Sequence, residues 1–430
     1  MTTDASMGLR ATAEALANGE CTSEQLIRQC IERIQALEPQ IHAFVDFQPE
    51  AALQQARAAD ASGKPRRALH GIPIAIKEVF DVAGMRCGWG SAIHKDRVPK
   101  SDAAIVRAFR MLGAIIVGTT VSTEYAIAAA GPTVNPHDYG RSPGGSSSGS
   151  AAAVAAGMVP LALGSQSIGS VVRPASYCGV WGLKPTKGAL DTEGGMALSE
   201  HLDHAGLFTR SVDDLIYTWQ AFGNPHPAES SGTWPSRVLL TRGPLQHRVQ
   251  PESHRALERA QAALGKAGLK AKELQLPEVF EQVEECIFTI LCRDMARHHG
   301  EDRRRHGAQM SEQLRALIDR GAAIDDTHYQ AALDQAQAYR QELLRHLDAP
   351  GTVLLAPATD GAAPPKDEGT GSPLLQALWT LTGLPVLAVP CRRTADLPVG
   401  VQLIAAPGRE ALLFDAGAML AKCASDKGAA

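Results

Sequence analysis

Short apolar runs alternating with segments of helical period are the feature that most constrains how this chain can fold. The runs Gly71 to Ile76 and Ala114 to Val117 suit buried strands, and Ala103 to Leu112 between them repeats its apolar residues at helical spacing. This alternation predicts an α/β fold in which helices cover a central mixed, largely parallel sheet. Upstream, Thr22 and Gln25 form a capping box, and Leu26, Ile27, Cys30, Ile31, Ile34 and Leu37 continue an amphipathic helix expected to end at Pro39. Downstream, Val238 to Thr241, Val353 to Ala356, Val386 to Val389 and Val399 to Ala405 read as strands that could rejoin the first sheet. Segments 252–264, 281–298, 327–347 and 410–424 read as helices, and the last few residues as a frayed tail. No internal repeat and no long polar linker interrupts the pattern, so residues 1–430 are expected to form one domain.

At 430 residues and 44% hydrophobic content the chain can bury a sizeable core. Its formal net charge of −4 is spread without long blocks of one sign, which gives no electrostatic reason to expect nucleic acid or an anionic membrane as partner. The basic run Arg303 to Arg305 is short enough to be a solvated helix face or turn. The longest small and apolar stretch, Ala151 to Leu163, is broken by Gly157 and Pro160 and is too short to span a bilayer. The eight cysteines (Cys21, Cys30, Cys87, Cys178, Cys286, Cys292, Cys391, Cys423) show no CxxC or zinc-like spacing, so reduced, mostly buried thiols are expected. The start MTTDASMGLR lacks the apolar core of a secretory signal, which makes a cytoplasmic protein the expectation.

The densest chemical signal is Ser142-Pro143-Gly144-Gly145-Ser146-Ser147-Ser148-Gly149-Ser150, in the turn-rich loop 135–149 that feeds an Ala-rich helix near Ser150. Its glycines admit close backbone approach and its hydroxyls can exchange protons. A phosphate-binding P-loop would need Lys followed by Ser or Thr after the last glycine, and Ser150-Ala151 stands there instead. Gly145-Ser146-Ser147-Ser148-Gly149 formally matches the GxSxG nucleophile elbow, with Ser147 as nucleophile, but an elbow follows a buried strand and this segment follows turns. A flexible loop without chemistry is the third alternative.

Resemblance separates them. Gly144 to Gly157 resembles the amidase signature, and Gly164-Ser165-Gln166-Ser167-Ile168-Gly169-Ser170 resembles that family's nucleophile segment. His70 to Glu78 is similar to its lysine strand, and Cys178 to Thr186, Thr382 to Pro385 and Leu397 to Gln402 complete the pattern in the family's order. The resemblance implies a serine amidohydrolase with a single α/β domain, needing no cofactor and no metal, and acting on a small-molecule amide. It assigns Ser170 as nucleophile, Ser146 as the bridging serine entered through a cis peptide, and Lys77 as base. It also assigns the backbone N–H groups of Ser167, Ile168, Gly169 and Ser170 as oxyanion donors.

Each role has a chemical reason. Amide hydrolysis needs a nucleophile, a proton route to the departing nitrogen, and donors for the tetrahedral oxyanion. An ordinary lysine of pKa ~10.4 is protonated at neutral pH, and neutralising it there costs about 4–5 kcal/mol. The apolar neighbours Ile72, Ile74 and Ile76 favour the neutral amine by desolvation. The commonest pattern has Asp where Gln166 stands and Gly where Ile168 stands; a β-branched Ile168 narrows the conformations open to the donor turn. Arg173, three residues after the nucleophile, makes the segment look most like the malonamidase-type branch, where that arginine binds a substrate carboxylate; a structural salt bridge is the competing role.

His137, His201 and His204 invite a Ser-His-Asp scheme, which the resembled family does not use. His298 and His299 are expected on a solvated helix face. The helix-rich middle region, about 245–350, is expected to line part of the substrate pocket. A rival of another class is the amidase-like component of a tRNA-dependent amidotransferase complex, against which the departures at Gln166 and Ile168 weigh; a homodimer is the assembly otherwise considered. A pseudoenzyme is disfavoured because Lys77, Ser146 and Ser170 are all present.

Overall fold

The computed structural model describes residues 8–63, 67–224, 234–394 and 397–425. The extreme N-terminal residues, the tail expected to fray and the Cys423 side chain lie outside the described residues.

Among the described residues, one 11-stranded sheet runs through the molecule in the order β1-β3-β2-β4-β6-β5-β10-β11-β9-β7-β8. In chain order these are β1 (Phe44–Phe47), β2 (Pro73–Lys77), β3 (Ile115–Thr120), β4 (Leu161–Gln166), β5 (Trp181–Lys184) and β6 (His204–Thr209). They continue as β7 (Arg237–Leu240), β8 (Ala271–Glu273), β9 (Thr352–Pro357), β10 (Val386–Thr394) and β11 (Leu397–Ile404). The C-terminal strands do rejoin the first sheet. Its parallel pairs are confined to two flanks, β3–β2–β4 and β9–β7–β8, so the largely parallel pattern expected from the sequence holds only there. From β4 to β9 every pairing is antiparallel, as is that of the edge strand β1 with β3. Parallel neighbours need long crossovers such as the helical segment between β2 and β3, whereas β10 and β11 follow one another closely enough to pair directly.

The elements β1, β4, β5, β6 and β8 and the helix Glu312–Ala323 carry weaker local signals than those read from the sequence. β4 is Leu-Ala-Leu-Gly-Ser-Gln, whose small residues continue the composition of the preceding Ala-rich helix; burial on all sides makes it a strand. The capping box forms as expected, with Gln25 N–H donating to Thr22 Oγ1 at 3.1 Å and Thr22 N–H donating to Gln25 Oε1 at 3.0 Å. The helix does not stop at Pro39 but runs Ser23–Ile41. In the last turn the proline removes a single donor, and His42 closes the helix in a left-handed conformation with its N–H on the Glu38 carbonyl.

The helices Ser148–Ala155 and Val172–Cys178 are packed into the core beside the sheet. The middle region folds as Val283–His306, Glu312–Ala323 and Asp326–Leu347, packed on one another. Arg303 to Arg305 occupy the last turn of the first of these and pair with Asp319 and Glu301 at the surface. His298 is exposed, but His299 is buried with Nε2 2.7 Å from the Ala197 carbonyl, because the helix turns that position inward against Trp89 and Tyr125. Cys21, Cys30, Cys87, Cys178, Cys286, Cys292 and Cys391 carry free thiols, and all but Cys391 are buried. Among the described residues no helix is long and apolar enough to cross a membrane, and no group of three or more His, Cys, Asp or Glu side chains is arranged to hold a metal ion.

Candidate active site

The site begins with two parallel neighbours. Strand β2 pairs with β4 in the register Ile74 to Leu161, Ala75 to Ala162 and Ile76 to Leu163, so both strands end on the same edge of the sheet. Lys77, the last residue of β2, thereby meets the C-terminal end of β4, the position where open α/β sheets build ligand sites. Its Nζ lies 2.7 Å from Ser146 Oγ and 2.9 Å from Ser165 Oγ.

Lys77 is fully buried, as are Ile72, Ile74 and Ile76 before it. Burial holds its amine well below the usual lysine range; the Arg173 guanidinium acts in the same direction, while Glu78 and Asp203 oppose it. Glu78 has a second task. Its Oε1 accepts the Ser122 N–H and its Oε2 the Gly88 N–H, both at 3.1 Å, which ties down a loop that borders the site.

The serines of the Gly/Ser loop have different partners. Ser147 Oγ donates to the Ser165 carbonyl at 3.1 Å and accepts the Ser165 N–H at 3.2 Å, which fastens the loop to β4. Ser148 Oγ donates to the Gly144 carbonyl and Ser150 Oγ to the Leu163 carbonyl. Ser146 is the loop serine whose hydroxyl meets a titratable side chain. The Gly145–Ser146 peptide is cis, and Gly144 before it has φ +80°, a conformation suited to glycine. A Cβ on Gly144 would also lie 2.8 Å from Pro174 Cα.

After β4 the chain turns through Ser167, Ile168, Gly169 and Ser170 into the helix Val172–Cys178. Within the described residues no protein acceptor takes the backbone N–H groups of these four residues. Neither Ile168 nor Gly169 has positive φ, so a β-branched residue fits the turn without left-handed backbone. A Cβ on Gly169 would lie 2.2 Å from Gln376 Oε1 and 3.0 Å from the Pro373 carbonyl oxygen, so any larger residue there would have to displace the Gln376 side chain. Ser167 Oγ donates to Asp203 Oδ1 at 2.5 Å. Gln166 Oε1 accepts the N–H groups of Val171 and Val172 at 2.8 and 3.1 Å.

Ser146, Ile168, Ser170 and Arg173 line one cavity of about 560 Å³. Ser146 and Ser170 are 2% and 5% exposed, so their hydroxyls reach solvent only through it. No hydrogen bond joins the two serines, and Ser170 Oγ has no partner among the described residues. Phe288, Gln313 and Leu317 of the middle region form part of the wall. The rest comes from residues 123–130 and 364–373, loops that carry no recognisable motif.

Among the described residues Arg173 is in no salt bridge. Its Nε and Nη2 donate to the Gly145 carbonyl at 3.0 and 2.6 Å, Nη1 donates to the Gly371 carbonyl, and among the described residues no carboxylate is bonded to it. Burial lowers its pKa to about 10, which leaves it cationic at neutral pH. The histidines stand apart from the serines. His204 Nδ1 is 2.6 Å from the Leu202 carbonyl, His137 Nε2 is 2.9 Å from the Cys178 carbonyl, and His201 packs edge-on against Tyr329. Ser165, Glu78 and Asp203 carry no signal of their own in the sequence; the pairing of β2 with β4 is what brings Ser165 to Lys77.

Comparison with known proteins identifies the family. The family model described as Amidase matches residues 25–414. The chain is 34% identical to AtzE, the 1-carboxybiuret hydrolase subunit of Pseudomonas sp. (strain ADP), over 95% of this chain and 96% of that one. It is 33% identical to a glutamyl-tRNA(Gln) amidotransferase subunit of Thermus thermophilus, over 93% and 94% respectively. A crystal structure of an amidase superposes with a TM-score of 0.88 at 30% identity, covering 97% of this chain and 99% of that one. The chain belongs to the amidase signature family of amide-hydrolysing enzymes.

Proposed function

We propose that the protein cleaves a small, carboxylate-bearing carboxamide to acid and ammonia or amine through an acyl-enzyme, with Ser170 as nucleophile, Ser146 as proton bridge and Lys77 as base. The observation that carries this is the buried Lys77 amine 2.7 Å from Ser146 Oγ, at the wall of the cavity that Ser170 also lines. A neutral amine can donate one N–H to Ser165 Oγ and turn its lone pair to the Ser146 proton. Ser146 Oγ then takes the proton of Ser170 as Ser170 Oγ bonds to the substrate carbonyl carbon. The unspent N–H groups of residues 167–170 supply donors for the resulting oxyanion. Collapse of the tetrahedral intermediate breaks the C–N bond, and the proton returns through Ser146 to the departing nitrogen. Water repeats the sequence on the acyl-enzyme and regenerates Ser170.

The carboxylate preference rests on Arg173, a buried cation at the cavity wall whose partners are neutral carbonyls. An arginine three residues after the nucleophile resembles the malonamidase-type branch, and the relative named 1-carboxybiuret hydrolase is named for a carboxylated substrate. Arg173→Ala should raise KM for a malonamate-like amide about 10- to 100-fold more than for a neutral amide of the same size. Arg173 also holds the Gly145 carbonyl, so kcat should fall for both substrates and the KM ratio is the measurement that decides. Equal changes in KM would remove the carboxylate assignment.

A second function is favoured by the relatives' names, since both are subunits of assemblies. In an amidotransferase complex the same acyl-enzyme chemistry would release ammonia to a companion protein rather than to solvent. The experiment that separates the two is ammonia release by the purified chain alone over malonamate-like, aliphatic, aryl and ureido amides, with its mass in solution measured alongside. Turnover by a lone monomer or homodimer is expected for the hydrolase; ammonia passed to a companion protein instead of released to solvent would establish the amidotransferase role, since a mere need for a partner would also fit a hydrolase subunit such as AtzE. We place the enzyme in the cytoplasm, consistent with the free thiols of the described cysteines.

A further inference from the structure

We infer that the Thr380 hydroxyl, directed by the side-chain amide of Gln166, positions the oxyanion turn by holding the Ile168–Gly169 peptide plane. This rests on the amidohydrolase mechanism above, in which the Gly169 N–H is a donor to the tetrahedral intermediate.

The argument is one of hydrogen-bond direction. Gln166 and Thr380 are both fully buried, Gln166 at the end of β4 and Thr380 on the short helix Ala377–Leu381. Gln166 Oε1 accepts the N–H groups of Val171 and Val172, and those two backbone donors decide which end of the amide is oxygen. The amide nitrogen therefore faces the other way, and Nε2 donates to Thr380 Oγ1 at 2.9 Å. A threonine hydroxyl has one proton. With its oxygen accepting from Gln166, that proton goes to the Ile168 carbonyl, 2.6 Å away. The carbonyl of Ile168 and the N–H of Gly169 belong to one planar trans unit and point in opposite directions. Drawing the carbonyl toward buried Thr380 thus turns the Gly169 N–H away from it, toward the side on which Ile168 and Ser170 line the cavity.

The same chain of bonds accounts for glutamine at position 166. A carboxylate there could accept from Val171 and Val172 but could not donate to Thr380. The Thr380 proton would then be drawn to the carboxylate, and the Ile168 carbonyl would lose its donor. A neutral amide accepts at one end and donates at the other, which is what this arrangement uses.

The test compares Thr380→Val, which keeps the shape and removes the hydroxyl, with Thr380→Ser, which restores it, and with Gln166→Glu. Crystal structures of the wild type and Thr380→Val report the orientation of the Ile168–Gly169 peptide, and steady-state kinetics on the best amide from the screen report catalysis. A turned peptide is expected in Thr380→Val, with kcat lowered on the order of 10²-fold, KM within about threefold, and recovery in Thr380→Ser to within about fivefold of wild type. Gln166→Glu should resemble Thr380→Val. An unmoved peptide would overturn the inference whatever the activity, and so would a turned peptide with unchanged kcat. Parallel loss in the valine and serine variants would overturn it too, since packing rather than the hydroxyl would then be responsible. A wild type inactive on every amide would remove the hydrolase reading, while the peptide orientation would still decide the role of Thr380.

Discussion

Alanine at position 170 should lower kcat for amide hydrolysis by about 10⁴- to 10⁶-fold while leaving the fold and substrate binding in place. Ser170 is 5% exposed and its hydroxyl holds no partner among the described residues, so its loss leaves no buried group unsatisfied and opens no cavity beyond the volume of one oxygen. Two measurements check this: ammonia release, and the mass of protein quenched during turnover. Wild type should show an adduct of the acyl group, and Ser170→Ala none. Ser147→Ala is the matched comparison. The Ser147 hydroxyl is spent on the backbone of Ser165, so its removal should cost on the order of 1–3 kcal/mol of stability and less than tenfold in kcat. If Ser147→Ala were the inactive protein and Ser170→Ala retained the adduct, the nucleophile would be the elbow serine instead.

Lys77→Arg and Lys77→Met should each lower kcat about 10²- to 10⁴-fold, the range for loss of a positioned general base. Arginine retains a charge it does not shed at working pH, and methionine fills the buried space without a lone pair for the Ser146 proton. Wild-type activity should rise with pH as Lys77 loses its proton, and because burial lowers that pKa the rise should fall well below the ordinary lysine value of ~10.4. Stability carries the same sign. Between the lowered folded pKa and the unfolded value, the unfolded chain binds more protons at this site than the folded one, so the contribution of Lys77 makes unfolding less favourable as pH increases. Lys77→Met should flatten that part of the stability profile and remove the corresponding limb of kcat/KM. Full activity in Lys77→Met would end the Ser-Ser-Lys scheme.

Much of the fold was readable because buried strands and amphipathic helices leave distinct periods. The runs that became β2, β3, β7, β9, β10 and β11 are short and apolar, and the capped helix from Ser23 has both reciprocal side chains in place. β4 escaped because Ala, Gly and Ser have little strand preference of their own. β8 is three residues with a largely exposed face, and among the described strands it pairs with β7 alone. His299 was misplaced for a related reason: two adjacent helical residues point about 100° apart, so one faces solvent while the other packs inward.

The site divides in the same way. Lys77, Ser146, Ser170 and Arg173 could be singled out from linear segments, and the structure brings Ser146, Ser170 and Arg173 to one cavity with Lys77 buried behind Ser146. What those segments could not supply was partnership, since hydrogen bonds between residues 69, 88 and 214 positions apart depend on strand register and helix packing. Sequence alone determined the chemical parts: a glycine-flanked serine, a lysine ending an apolar strand, and a serine turn with arginine three residues on. Tertiary structure decided their states. The pairing of β2 with β4 buries Lys77 and so disfavours its charge, the backbone of Ser165 occupies Ser147 and leaves Ser146 for the amine, and two neutral carbonyls hold Arg173, with Asp360 near enough to act on its charge but not bonded to it. Burial and bonding direction are properties of what surrounds a side chain, and most of what surrounds these arrives from elsewhere in the chain.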